Sequence, residues 1–217
     1  MKPSPSGPVS RPRGRPRLSA ESLQANQALV LAAAARLFAT CHSQQLSVEM
    51  LLQDAGISRA SFYRWFPGGL DAVLDRIIQA TIQALVVQIL ATAEGVAEPE
   101  QRLRACIRAY FDWAMDHRAV VAGLYREAFD PQTLVYGYRR QAITAVIAMA
   151  LQQLEALQVR PLDPLEIETM ILWIETASMV LFRNQQFDPD VVARQREFTS
   201  GLFLAMFQQL RQTQPVT

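Results

Sequence analysis

Ser58-Arg-Ala-Ser-Phe-Tyr-Arg-Trp-Phe66 gathers more chemistry than any other part of the chain. Wound as a helix, it puts Phe62 and Phe66 on one face and spreads Arg59, Ser61, Tyr63, Arg64 and Trp65 over the others. Guanidinium and hydroxyl groups donate to phosphate oxygens and base edges, and flat rings pack beside them. The surface therefore suits nucleic acid in a major groove. Other chemistries find less support. Cys41 and Cys106 have no metal-ligand spacing, and His42 has no second ligand at useful distance. A redox role for Cys41 lacks a neighbouring cation or a resolving thiol. The acids, histidines and cysteines show no catalytic spacing, and no glycine-rich phosphate loop occurs. No enzyme activity, cofactor or metal is expected.

A second short helix must precede this one to hold it. Val48, Leu51, Leu52 and Ala55 recur at helical spacing, Ser47 is suited to cap the first turn, and Glu49 favours its positive end. Gly56 can enter the left-handed conformation that ends the helix. Ile57 becomes the buried turn residue, and Ser58 caps the second helix. The unit reads as a helix-turn-helix, with an ordinary helical hairpin as the plain alternative.

Ala55-Gly-Ile-Ser-Arg-Ala-Ser-Phe-Tyr-Arg-Trp-Phe66 also resembles the motif that closes the N-terminal domain of TetR-family transcriptional regulators. Ala34-Ala-Arg-Leu-Phe-Ala39 looks like that family's first helix, and the resemblance covers about residues 25–75. It implies that Ser47, Ser58, Arg59, Ala60, Ser61, Tyr63, Arg64 and Trp65 meet DNA. Arg59, Ser61, Tyr63 and Arg64 would face the major groove, with Trp65 toward the backbone. The chain departs from the family at four points. His42 stands where a glycine is usual and would tolerate a positive φ at some cost. Ser43 replaces an aromatic, whose place Leu46 partly fills. Leu52 is larger than the small residue usual there. Leu70 occupies the position of a phosphate-binding lysine if Asp71 is the equivalent acid, leaving backbone N–H groups of that helix to hold a phosphate.

Charge is unevenly spread. Lysine and arginine number 21 against 20 acids, yet residues 1–70 hold eight cations and three acids, so the remainder is net negative by four. A polyanion partner for the N-terminal part alone follows. Residues 1–20 are rich in Pro, Ser and Arg and are expected to be disordered when free. Within them Arg11-Pro-Arg-Gly-Arg-Pro-Arg17 resembles an AT-hook core, in which Arg13 and Arg15 enter a narrow A·T minor groove. A basic tail touching phosphates without sequence preference is the alternative. No apolar run approaches the ~20 residues that span a bilayer, and no apolar stretch follows the basic arm as in a secretory signal. The expected setting is the cytoplasm, without a membrane partner.

Apolar periodicity predicts helices throughout: one over about 23–40 with Leu29, Val30, Ala33, Ala34, Leu37 and Phe38 inward, and a long one from about 70 to 93. Glu98-Pro99, Asp130-Pro131, Asp163-Pro164 and Asp188-Pro189 then open helices near 99–117, 131–158, 164–184 and 189–212, with another near 119–128. The expected fold is all-α, with a basic arm over 1–20, a three-helix DNA-binding domain over 21–70 and a helical effector-binding and dimerisation domain over 71–217.

The last two helices are long and apolar. They resemble the pair that forms a four-helix dimer interface in this family, although they could instead pack inside one monomer. The remaining helices bring aromatic and Met residues that suit either an adaptable apolar pocket or an ordinary core. The resemblance favours a pocket, with Trp113, Tyr125 and Trp173 among its walls and His117 and Glu175 orienting a ligand. The expected protein is a homodimeric repressor on double-stranded operator DNA, released by a small apolar effector. An architectural protein of A·T tracts without an effector is the alternative.

Overall fold

The structure, a computed structural model, describes residues 20–156 and 162–212; the arm with Arg13 and Arg15 lies outside them. Helices run in the order α1 (Ala20–Thr40), α2 (Val48–Ala55), α3 (Arg59–Trp65), α4 (Gly69–Ala93), α5 (Pro99–Asp116), α6 (Arg118–Glu127), α7 (Leu134–Ala156), α8 (Pro164–Arg183) and α9 (Pro189–Gln212). A single 3₁₀ turn, Ser43–Gln45, links α1 to α2. No strand occurs among the described residues, and the fold is all-α.

Local signals set most boundaries. Ser47 Oγ accepts from the Met50 N–H at 3.2 Å, and Ser58 Oγ accepts from Ser61 N at 3.3 Å, so each serine satisfies an amide that the helix cannot. Gly56 closes α2 at φ 65°, where a side chain is disfavoured. Asp163 and Glu166 cap each other's backbone at the start of α8. Asp130-Pro131 behaves differently from its expected role. It forms a turn, and α7 begins only at Leu134, because the Thr133 hydroxyl accepts from Tyr136 N at 3.3 Å and takes the capping place.

The head packs α1 on α2 and α3 around Val30, Ala33, Ala34, Phe38, Leu51 and Phe62, all essentially buried. Leu29, expected inward, is 55% exposed; it lies on the edge of the stripe, away from α2. His42 is extended at φ −64° and incurs no left-handed strain. Its neighbour Leu46 is buried, as expected for the residue filling the missing aromatic's place.

Helix α4 joins head and body, burying Val73, Leu74, Ile77 and Ile78. By length and mean hydropathy (1.5) Gly69–Ala93 matches a membrane-crossing helix, a run the sequence pattern did not single out. Here that apolar character is used to contact α1, α5, α6 and α7 at once.

Candidate functional site

The exposed surface of α3 carries Arg59, Ala60, Tyr63 and Arg64 side by side. Phe62 anchors them from below, with its ring edge-on to Tyr63 at 5.1 Å and stacked on Phe66 at 5.9 Å. Arg59 does not stand alone: its guanidinium pairs with Glu49 on α2. A backbone hydrogen bond and then Arg59 hold the Glu49 carboxyl below its ordinary range. Sequence spacing did not reveal this pair, because it joins two helices through the turn. Ser58 and Ser61 share a hydrogen bond at 3.0 Å that fixes the first turn of α3. Trp65 departs from its expected outward aim. Its ring packs on the core of the head, and its indole N–H is shut off from solvent, out of reach of a phosphate. At the start of α4, Leu70 turns toward the core, so no cation stands where the family's lysine would.

A tight junction joins this head to the body. Arg126 on α6 reaches the C-terminal end of α1 and donates to the carbonyls of Phe38 (2.9 Å), Ala39 (2.5 Å) and Cys41 (2.7 Å). These are carbonyls that a helix end leaves without partners of its own, and a cation there also meets the negative end of the helix. Glu127, 1% exposed, accepts from the Ser43 N–H at 2.6 Å and from the Ser43 hydroxyl at 2.8 Å. Gly123, one turn earlier, lets the two helices meet: a Cβ there would lie 2.4 Å from the Phe38 ring.

The same helix borders a chamber of about 760 Å³ bounded also by α4, α5, α7, α8 and α9. This is within the ~300–1,000 Å³ usual for small-molecule sites. Its walls are overwhelmingly apolar, and Leu124 and Tyr125 of α6 belong to them, as does Ala128 just beyond. Two polar pairs interrupt the lining. The Tyr110 and Tyr125 hydroxyls are hydrogen bonded at 2.9 Å. Arg139 donates through Nε to both Glu175 oxygens at 3.2 Å and through Nη2 to one of them at 2.5 Å. Burial is the leading cause that pushes both tyrosine phenols above their ordinary range. It also raises the Cys106 thiol, which lines the wall as well.

Of the expected pocket residues, Trp113, Tyr125 and Glu175 line the chamber, and His117 and Trp173 do not. The Trp113 indole N–H is committed to Thr81 O on α4 at 2.8 Å. His117 sits between α5 and α6, with Nδ1 3.0 Å from Trp113 O, facing away from the cavity. Trp173 is 53% exposed and touches Phe203 edge-on from outside. Arg139 escaped the sequence reading, since nothing in α7 alone marks which of its faces meets Glu175, 36 positions on. Among the described residues no group of His, Cys, Asp and Glu is arranged to hold a metal ion.

Trp173 belongs to another surface. With Leu165 and Val180 on α8 and Phe198 and Leu202 on α9, it forms an exposed apolar face at helical spacing.

Fold and site define a helix-turn-helix protein with a hollow helical body. No protein-family model matches the chain. It is 33% identical over 123 residues to the HTH-type transcriptional regulator EthR of Mycobacterium tuberculosis, covering 55% of this chain and 56% of that one. To EthR of Mycolicibacterium smegmatis it is 35% identical over 109 residues, covering 50% and 49%. The chain thus matches about half the length of these curated relatives. A putative TetR-family regulator from a Shewanella species superimposes with a TM-score of 0.63 at 18% identity, over 82% of this chain and 95% of that one. FadR of Bacillus subtilis, in complex with stearoyl-CoA, superimposes with a TM-score of 0.67 at 14% identity, over 81% and 96%. Half of the chain is thus similar to these transcriptional regulators, and the solved structures show that its fold is that of the TetR-family regulator and of FadR.

Proposed function

We propose that this protein is a homodimeric repressor whose α3 reads operator DNA and whose grip is released when a small apolar molecule fills the chamber. One observation carries the reading. On α6, Leu124 and Tyr125 face the chamber while the next two residues, Arg126 and Glu127, hold the head. A ligand that shifts α6 must therefore shift α1 and the 3₁₀ turn, and with them α2 and α3. In this reading the head over 21–70 follows α6 as that helix shifts within the body over 71–217.

The exposed α8–α9 face supplies the second head by pairing two chains about a two-fold axis, as a palindromic operator requires. The stearoyl-CoA bound to the FadR neighbour supports an apolar acyl-type occupant for a chamber with this lining. The basic arm with Arg13 and Arg15 adds affinity through phosphates or an A·T minor groove, and the expected setting is the cytoplasm, where operator DNA lies. Footprinting on duplexes selected from a random pool tests the reading. A repressor protects a short palindrome with half-sites about one helical turn, ~34 Å, or a multiple apart. Diffuse protection of A·T-rich tracts would favour an architectural protein instead.

A further inference from the structure

The chamber follows α5 from Pro99 to Trp113, which at the helical rise makes it about 21 Å long. That length and the apolar walls call for an extended hydrocarbon chain. The charged groups inside restrict its polar end. Arg139 has its edge covered by Glu175, and its face lies over the Phe129 ring at 4.8 Å. The side chains of this ion pair are only 11% and 14% exposed. Arg102, on the first turn of α5, is turned to the Val96 carbonyl at 2.7 and 2.8 Å. An arriving carboxylate therefore finds both chamber arginines engaged and meets the negative oxygens of Glu175. An arriving ammonium finds those oxygens already bound by Arg139. Beside the tyrosines an ammonium would give up water without a partner, because Glu94, the other carboxyl of the lining, stands exposed at the end of α4, and a carboxylate would have a single phenol proton to set against the Glu175 charge.

The tyrosine pair offers something different. When one hydroxyl donates to the other, the acceptor keeps its own proton to give to a ligand oxygen. We propose that the chamber selects an uncharged amphiphile, a long-chain alcohol, held at its polar end by Tyr110 and Tyr125. In this proposal the Arg139–Glu175 pair is the specificity device that rejects anionic and cationic chains. This rests on the reading of the chamber as an effector site and adds the class of effector.

Calorimetric titration of the free protein with 1-dodecanol, dodecanoate and dodecylamine tests it. The alcohol should bind at least about tenfold more tightly than either ion. Glu175→Gln leaves Arg139 unpaired and should tighten dodecanoate by about tenfold or more. Arg139→Gln leaves Glu175 unpaired and should shift the gain to dodecylamine. Equal binding of all three by the wild-type chain would overturn the proposal, as would binding of none. The wild-type series is decisive even if a variant fails to fold, and unchanged selectivity in a folded variant would overturn the proposal too. Because no DNA is present, these outcomes are separate from operator binding, whose loss would overturn the regulatory reading alone.

Discussion

Ser43 and Glu127, 84 positions apart, are joined twice, with the serine N–H and hydroxyl each donating to a different oxygen of one buried carboxyl group. Ser43 stands where the TetR-family motif that this segment resembles usually has an aromatic, and its short side chain puts a hydroxyl 2.8 Å from Glu127. Glu127→Ala should lower unfolding free energy by about 1–3 kcal/mol, since it removes both acceptors of the half-buried Ser43. Urea denaturation checks this, and Ser43→Ala, which leaves the backbone bond intact, should cost less.

Gly123→Ala tests how close the head and body must lie. The added methyl meets the Phe38 ring and the Phe38 carbonyl, at 2.4 and 2.7 Å, and Phe38 is fully buried with nowhere to go. Overpacking of this kind costs about 1–3 kcal/mol. A variant as stable as the wild type would show that the junction is looser than these contacts require.

Much of this was legible in the sequence where the cause is local. Ser47, Gly56, Ser58 and Asp163 act on amides within a few residues, so their types announce their roles. Asp130-Pro131 carries the same local signal and is overruled by Thr133, three residues on. The pairs on which the proposals rest, Ser43–Glu127 and Arg139–Glu175, join segments far apart in the chain. Periodicity says that a helix has an inner face but not which neighbour it meets, and this is why Trp173 read as a pocket wall and stands outside.

The Glu49–Arg59 pair bears on base recognition. A guanidinium that hydrogen-bonds guanine contributes about 1–3 kcal/mol of discrimination, so Arg59→Ala should relax preference at one base pair per half-site. Glu49→Gln keeps the shape and releases Arg59, and should broaden specificity while strengthening phosphate attraction. Selection on randomised half-sites reads both. Uniform weakening on all sequences by Arg59→Ala would make it a phosphate contact.

The buried phenols predict an alkaline limit. Tyr110 and Tyr125 are pushed above the ordinary 10.0, chiefly by burial, so the unfolded chain loses those protons first. Their contribution is complete below pH 10.0 and fades as pH rises through the folded values. Phenolate absorbance should show these two of the five tyrosines silent until the chain unfolds. Simultaneous titration of all five in the native state would contradict their enclosure.

Phe198→Glu places a charge in the middle of the exposed α8–α9 face. If this face is the proposed dimer interface, sedimentation should report a dimer for the wild-type chain and a monomer for the variant, with operator affinity falling because one head alone spans one half-site. A variant that remains dimeric would move the interface elsewhere.

Chamber and head are held by successive residues of one helix, and the proposed release through α6 requires that occupancy of one change affinity at the other. Titrating 1-dodecanol into the protein with and without its selected operator duplex measures that linkage. A coupling of about 1–3 kcal/mol would weaken the alcohol by about 5- to 150-fold when DNA is bound, and DNA by the same factor when the alcohol is bound. Measurable binding with equal affinities in the two titrations would contradict release through α6.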